Sequence, residues 1–156
     1  MSTPTPNEPL HTPVLLIIFN RAHTTQKVFD RIRQVKPKKL YVAADGPRAH
    51  VATDAERCAE TRRIVEQVDW ECEVKTLFQD QNLGCGVAPS RSISWLFENE
   101  ETGIILEDDC VPSKSFFWFC QEVLEKYKHD TRVMHIGGNN YLEGWRRDSD
   151  YSYYFS

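Results

Sequence analysis

The 156-residue sequence lacks several features that define well-known classes of protein. It has five cysteines and five histidines, but no Cys-x-x-Cys pair and no His-x-x-x-His spacing, so a zinc site is not expected. The longest apolar run, Val14–Phe19, has six residues. A membrane-spanning helix needs about 20 apolar residues, so no membrane span is expected.

An excess of basic residues is also missing. The 19 Lys and Arg residues against 23 Asp and Glu residues give a net charge of −4, so no nucleic-acid partner is expected. The first residues have neither the basic start nor the apolar stretch of a signal peptide. Together with an odd number of cysteines, this favours reduced thiols in a cytoplasmic protein.

The composition is otherwise that of an ordinary globular protein, 40% hydrophobic and 27% charged. Residues 1–12, rich in Pro and Thr, are predicted to be a flexible lead-in, and residues 13–156 a single domain. Aromatic residues alternate over 150–156, and no turn or polar tail follows them. This pattern favours a domain truncated at its C-terminus, and a natural edge strand is the alternative.

Apolar runs alternate with amphipathic segments along the chain. The apolar runs predict five strands, at 13–19, 38–44, 72–78, 103–106 and 132–136. Helices are predicted between them, at 23–35, 53–68, 87–98 and 113–128. Thr53 and Glu56 have the spacing of a capping box, and Pro89 is expected in the first turn of its helix. The predicted fold class is α/β, a three-layer αβα arrangement with a mostly parallel sheet.

Polar residues follow four of the predicted strands, and open parallel sheets bind ligands at that edge. These residues are Asn20 and Arg21, the Asp45–Arg48 turn, the Asp80–Gly86 loop, and Glu107, Asp108 and Asp109. If the sheet is parallel, they converge on one edge.

The acidic trio Glu107–Asp109 is the sharpest of these features. In an extended segment Glu107 and Asp109 would point the same way, with backbone positions about 6.6 Å apart. Two charges at that distance repel by about 2.5 kcal/mol at an effective dielectric constant near 20. A bound Mg²⁺ or Mn²⁺ would relieve this repulsion. The alternative is a solvated acidic turn, partly neutralised by Lys114 or an arginine.

Two further strand-end residues have two interpretations each. Arg21 could bind a phosphate held by the metal, or it could be an ordinary surface arginine. Asp45 could accept hydrogen bonds from a base or a ribose, or it could simply form a turn before Gly46 and Pro47. The Gly84–Gly86 segment is not a dinucleotide fingerprint, because the position of the third glycine is Pro89.

Five short segments occur in an order that matches a known family. They are Pro13–Arg21, Ala44–Arg48, Asn82–Gly86, Ile104–Asp109 and Phe116-Phe117. This ordered set resembles the GT-A nucleotide-diphospho-sugar transferases, in the Glu-Asp-Asp branch to which N-acetylglucosaminyltransferase I belongs. The resemblance spans about residues 13–140. It implies a metal-dependent glycosyltransferase that moves a sugar, with inversion, from a nucleotide-diphospho-sugar to a saccharide or other hydroxyl acceptor.

The resemblance also implies roles for individual residues. Asp109 would be the direct ligand of Mn²⁺ or Mg²⁺. The donor, expected to be a UDP-sugar, would be bound by Asn20, Arg21, Asp45, Glu107 and Asp108. Within that set, Arg21 would contact the diphosphate and Asp45 the base, while Glu107 and Asp108 would contact the sugar and the ribose.

The sequence departs from the family in two ways. The animal enzyme has a histidine on the helix before the Glu-Asp-Asp strand, and residues 87–94 contain none. Family members also continue beyond this chain, and their general base lies in that later part, so no catalytic base is assigned here. The chain is therefore expected to be the donor-binding portion.

Two other functions stay open. A non-catalytic sugar-nucleotide-binding module would have the same donor site and would transfer nothing. A metal-dependent phosphohydrolase is the less favoured alternative, because those enzymes commonly place an aspartate nucleophile at the end of the first strand. That strand here runs into Phe19, Asn20 and Arg21.

Overall fold

The computed structural model describes residues 9–138. Its sheet has four strands in the order β3-β2-β1-β4, and every neighbouring pair is parallel. The strands are β1 (Val14–Ile18), β2 (Lys39–Ala44), β3 (Glu73–Phe78) and β4 (Ile104–Glu107). Ile18 lies beside Ala44, and Ile17 beside Glu107, so the carboxyl ends of these three strands meet at one edge. The prediction of a parallel α/β sheet is confirmed.

Helices cover both faces of this sheet. They are α1 (Ala22–Val35), α2 (Asp54–Arg62), which continues as a 3₁₀ helix (Arg63–Gln67), α3 (Gly84–Phe97) and α4 (Lys114–Tyr127). Side chains alternate along each strand. Leu16 and Val42 therefore pack in the cluster with α1, the 3₁₀ helix and α4, while Leu15 and Tyr41 pack against α3. The layers are helix, sheet and helix, as predicted.

A helix cap forms at Ser113 but not at Thr53, where the capping box was predicted. Ser113 caps α4, since its Oγ accepts a hydrogen bond from the backbone N–H of Phe116 at 3.3 Å. Thr53 makes no capping hydrogen bond, so the predicted capping box is wrong. A capping residue needs an extended backbone, and Thr53 already has helical angles, φ −86° and ψ −10°.

Helix α3 begins at Gly84 rather than at the predicted residue 87. The φ of +82° at Gly84 is open to glycine because it has no Cβ. Pro89 consequently lies in the second turn and not in the first, so that prediction is wrong as well. Its missing N–H removes one hydrogen bond near the start of the helix.

The predicted fifth strand, 132–136, is not formed. Residues 133–138 have no regular secondary structure, and Met134 is 93% exposed. A Cβ on Gly138 would lie 2.2 Å from the ring of Phe116, so this segment returns over the start of α4. The aromatic segment 150–156 lies outside the described residues.

The predicted lead-in, residues 1–12, extends into the described part of the chain only at its last residues. There Leu10 is fully buried, its N–H donates to Val35 O at 3.0 Å, and its carbonyl accepts from Lys38 N at 3.0 Å. Leu10 therefore belongs to the core cluster. Within residues 9–138, none of the helices has the length and apolar character needed to cross a bilayer.

Two glycine substitutions test the packing of the carboxyl edge. A Cβ on Gly46 would lie 2.4 Å from the backbone of Gln81, whereas a Cβ on Gly86, inside α3, would meet nothing within 4 Å. We expect Gly46→Ala to lower the free energy of unfolding by about 1–3 kcal/mol. We expect Gly86→Ala to raise it by about 0.5–1 kcal/mol. Urea unfolding measures both, and equal effects would contradict the described packing.

Candidate functional site

The acidic trio lies where β4 ends. Glu107 is the last residue of the strand, and Cys110 N donates to Glu107 O at 3.2 Å, so the chain turns here. The trio is thus not extended, but Glu107 and Asp109 are both exposed and Asp108 is only 3% exposed. The extended arrangement expected for the trio is therefore not formed, and its middle residue, Asp108, is the buried one.

Arg21, which follows β1, binds two of these acids. Its Nε and Nη2 donate to the two oxygens of Asp108, and its Nη1 lies 3.0 Å from Asp109 Oδ2. The hydrogen bond to Asp108 is the main cause of a raised pKa at Arg21, so the guanidinium is always charged. The positive charge that the trio requires thus comes, for Asp108 and Asp109, from an arginine of the neighbouring strand end.

A possible metal donor set lies on the exposed side of the turn. Ligand atoms of Glu107, Asp109 and Cys110 lie within 4.8 Å of one another. Carboxylate oxygens suit Mg²⁺ or Mn²⁺, and two of them leave positions for water and phosphate. Cys110 offers a soft sulfur donor, which suits these hard cations less well than a carboxylate does. The carboxylates of Glu107 and Asp109 are thus of the donor type that Mn²⁺ and Mg²⁺ prefer, and the metal-binding role that the resemblance assigns to Asp109 stays a prediction.

Asp45, at the end of β2, is engaged inside the protein. Its Oδ1 accepts hydrogen bonds from Gly46 N and Leu83 N, both at 2.8 Å. Its Oδ2 accepts from Asn82 Nδ2 at 2.8 Å and from Gly84 N at 3.1 Å. Asp45, which directly follows β2, thus caps the N-terminus of α3. This cap explains why α3 starts three residues before the predicted residue 87. The base contact that the resemblance assigns to Asp45 stays a prediction.

Asn20 belongs to a second buried network, centred on Asp54. Asn20 Nδ2 donates to Asp54 Oδ1 at 2.9 Å, and Arg48 Nε donates to Asp54 Oδ2 at 2.6 Å. The Arg48 guanidinium also lies 5.5 Å from the centroid of the Phe19 ring. Asp54 is fully buried. It was not predicted as a site residue, and its one local signal is an acid in the first turn of a helix, where acids are generally favourable.

Arg62 joins the ends of β2 and β3 and was also missed. Its Nη2 donates to Asp45 O at 3.1 Å and to Gln79 O at 2.6 Å. Its guanidinium lies 5.0 Å from the centroid of the Phe78 ring. No sequence signal points to this role, because the carbonyls that Arg62 binds come from loops after two different strands.

The structure therefore brings Arg21, Asp108 and Asp109 into direct contact, with exposed Glu107 beside Asp109. Asn20 and Asp45 lie in two separate networks at the same sheet edge. Comparisons of the chain with protein-family models, with curated proteins and with solved structures find no match.

The Asp54 network makes stability depend on pH. Chiefly through a hydrogen bond, Arg48 holds the pKa of Asp54 well below its usual range. The stabilisation is therefore complete above the ordinary carboxyl pKa of about 4 and is lost as the pH falls from there. We expect Asp54→Asn to be less stable than the wild type at pH 7, with the difference narrowing below pH about 4.

Urea unfolding at pH 7, 4 and 3 measures this difference. Asp80→Asn is the matched control, because Asp80 is exposed and has no hydrogen-bond or ion-pair partner within residues 9–138. It is expected to change stability little at any of these pH values. A destabilisation by Asp54→Asn that stays constant from pH 7 to pH 3 would contradict the role of the Asp54 charge.

Proposed function

We propose that this chain is the donor-binding portion of a metal-dependent glycosyltransferase with a GT-A-like fold. The observation that supports this most directly is the contact of Arg21 with Asp108 and Asp109 at the carboxyl edge of a parallel sheet. This edge is where open parallel sheets bind ligands. The ordered segments that resemble the family supply the same residues.

In this proposal the diphosphate of the donor lies between Arg21 and a cation on Asp109. A guanidinium binds phosphate oxygens through two parallel hydrogen bonds, and Asp108 orients it from the buried side. Glu107 is exposed and has no cationic partner within residues 9–138, so it is free to contact the sugar or to complete the metal site. When bound, the divalent cation would stabilise negative charge on the leaving diphosphate.

The transfer itself exchanges two bonds at the anomeric carbon. The acceptor hydroxyl oxygen forms a bond to that carbon, the bond to the diphosphate oxygen breaks, and the hydroxyl proton passes to a general base. No residue within 9–138 is assigned as that base. The portion described here thus contributes binding and orientation of the donor.

Calorimetric titration with UDP, with and without Mn²⁺, tests the proposal. We expect UDP to bind the chain with Mn²⁺ present and to bind much more weakly without it. We expect Asp109→Asn to weaken Mn²⁺-dependent binding by at least about tenfold, the loss commonly caused by removing a group that supports a metal site.

Glu101→Gln is the matched control for Asp109→Asn. Glu101 is an exposed acid that precedes β4, so it lies toward the other end of that strand and should not affect UDP binding. Equal UDP affinity with and without Mn²⁺ would overturn the proposal. So would the absence of UDP binding by a chain that circular dichroism shows to be folded.

A further inference from the structure

We propose that Arg21 competes with the divalent cation for Asp109 in the nucleotide-free protein, so that cation and nucleoside diphosphate bind cooperatively. This inference rests on the proposed function and adds a coupling that the resemblance does not contain. It assigns Arg21 two partners in turn, first Asp109 and then the diphosphate.

The two acids that Arg21 binds are not equivalent. The Asp108 side chain is 4% exposed and contacts Nε and Nη2 of Arg21. The Asp109 side chain is 44% exposed and contacts only Nη1 of Arg21, and its Oδ1 accepts a hydrogen bond from Cys110 Sγ at 3.6 Å. Only the carboxylate of the first pair is buried, since the Arg21 side chain is 48% exposed. Moving Arg21 away would leave the Asp108 charge out of water without a partner, which is costly. An exposed pair contributes little. Asp108 therefore holds the arginine in place, and Asp109 is the partner that it can give up.

Arg21 and a cation on Asp109 would be positive charges that share one carboxylate. Nη1 lies 3.0 Å from Asp109 Oδ2, so a cation bound at that oxygen would be close to the guanidinium. Without nucleotide, the two repel each other, and the carboxylate is already partly neutralised. Arg21 therefore lowers the affinity of the empty site for the cation.

A bound diphosphate turns the unfavourable effect of Arg21 on cation binding into a favourable one. Its oxygens bring several negative charges between the cation and the guanidinium, and they offer Arg21 a bidentate partner in exchange for one oxygen of Asp109. Asp109 is then left to the cation. Because linkage is reciprocal, the factor by which diphosphate raises cation affinity equals the factor by which the cation raises diphosphate affinity.

Electron paramagnetic resonance of free Mn²⁺ measures cation binding directly, with and without UDP, on the full chain. Arg21→Lys keeps a positive charge for Asp108, but an ammonium lacks the fork that reaches both carboxylates. We expect it to bind Mn²⁺ alone about two- to fivefold more tightly than the wild type, the range expected for losing one exposed ion pair. We also expect a smaller increase of Mn²⁺ affinity on addition of UDP.

Arg33→Lys is the matched control. Arg33, on α1, binds Asp69, which follows the 3₁₀ helix, through Nε at 3.0 Å and Nη2 at 2.8 Å, and this pair is also exposed. It should leave Mn²⁺ binding unchanged. If Arg21→Lys does not fold, the double variant Arg21→Met with Asp108→Asn removes both members of the Arg21–Asp108 ion pair and leaves Glu107 and Asp109. It too should bind Mn²⁺ alone more tightly than the wild type and lose most of the effect of UDP.

The outcomes separate this inference from the proposed function. If Arg21→Lys has wild-type Mn²⁺ affinity and the full increase with UDP, the competition is overturned and Mn²⁺-dependent UDP binding still stands. If the folded wild type binds no Mn²⁺ with or without UDP, both are overturned. Tighter Mn²⁺ binding with a reduced effect of UDP supports the inference.

Discussion

Three carboxylates are buried at the carboxyl edge of the sheet, and each must be compensated inside the protein. A buried carboxylate without partners is too costly to persist. Asp45 is compensated by the backbone N–H groups that open α3, Asp54 by Arg48 and Asn20, and Asp108 by Arg21. The three buried carboxylates thus hold the loops of this edge in place, and the exposed acids Glu107 and Asp109 lie beside Asp108.

This arrangement shows that acids clustered after a strand can be neutralised by the protein itself as well as by a cation. Repulsion within Glu107–Asp109 favoured a cation as its remedy, and the structure supplies an arginine for two of the three acids. The two remedies do not exclude each other, because Asp109 is exposed and Glu107 keeps its charge uncompensated within residues 9–138. In the proposal above, Arg21 and a cation would be alternative partners for the Asp109 carboxylate, and this would couple cation binding to nucleotide binding.

The parts of the fold that depend on local pattern could be predicted. The apolar run at 13–19 gave β1 to within a residue, observed as Val14–Ile18, because a strand buried on both faces needs such a run. The start of α3 could not be predicted, since it depends on Asp45, 39 residues away from Gly84. The run 132–136 is apolar enough for a strand, but an apolar pattern does not say whether a partner strand is available.

The candidate site likewise has features that the local sequence predicts and features that depend on residues far apart in the chain. The acidic trio could be located after β4 from the sequence, but the extended arrangement expected for it is not formed. That Arg21 would bind Asp108, 87 residues away, requires β1 and β4 to be neighbours. A single sequence gives no such order. The Asp54 network was missed for a similar reason, because Asn20 lies 34 residues from Asp54.

The cap that Asp45 provides ties the helical layer to the sheet. Leu83 and Gly84 donate to a carboxylate of another element, and α3 contains two glycines and a proline in its first six residues, which all weaken an isolated helix. An isolated peptide of residues 84–97 is therefore expected to form little helix in water. In the intact chain, α3 and the end of β2 form one cooperative unit, so that loosening either of them loosens the other.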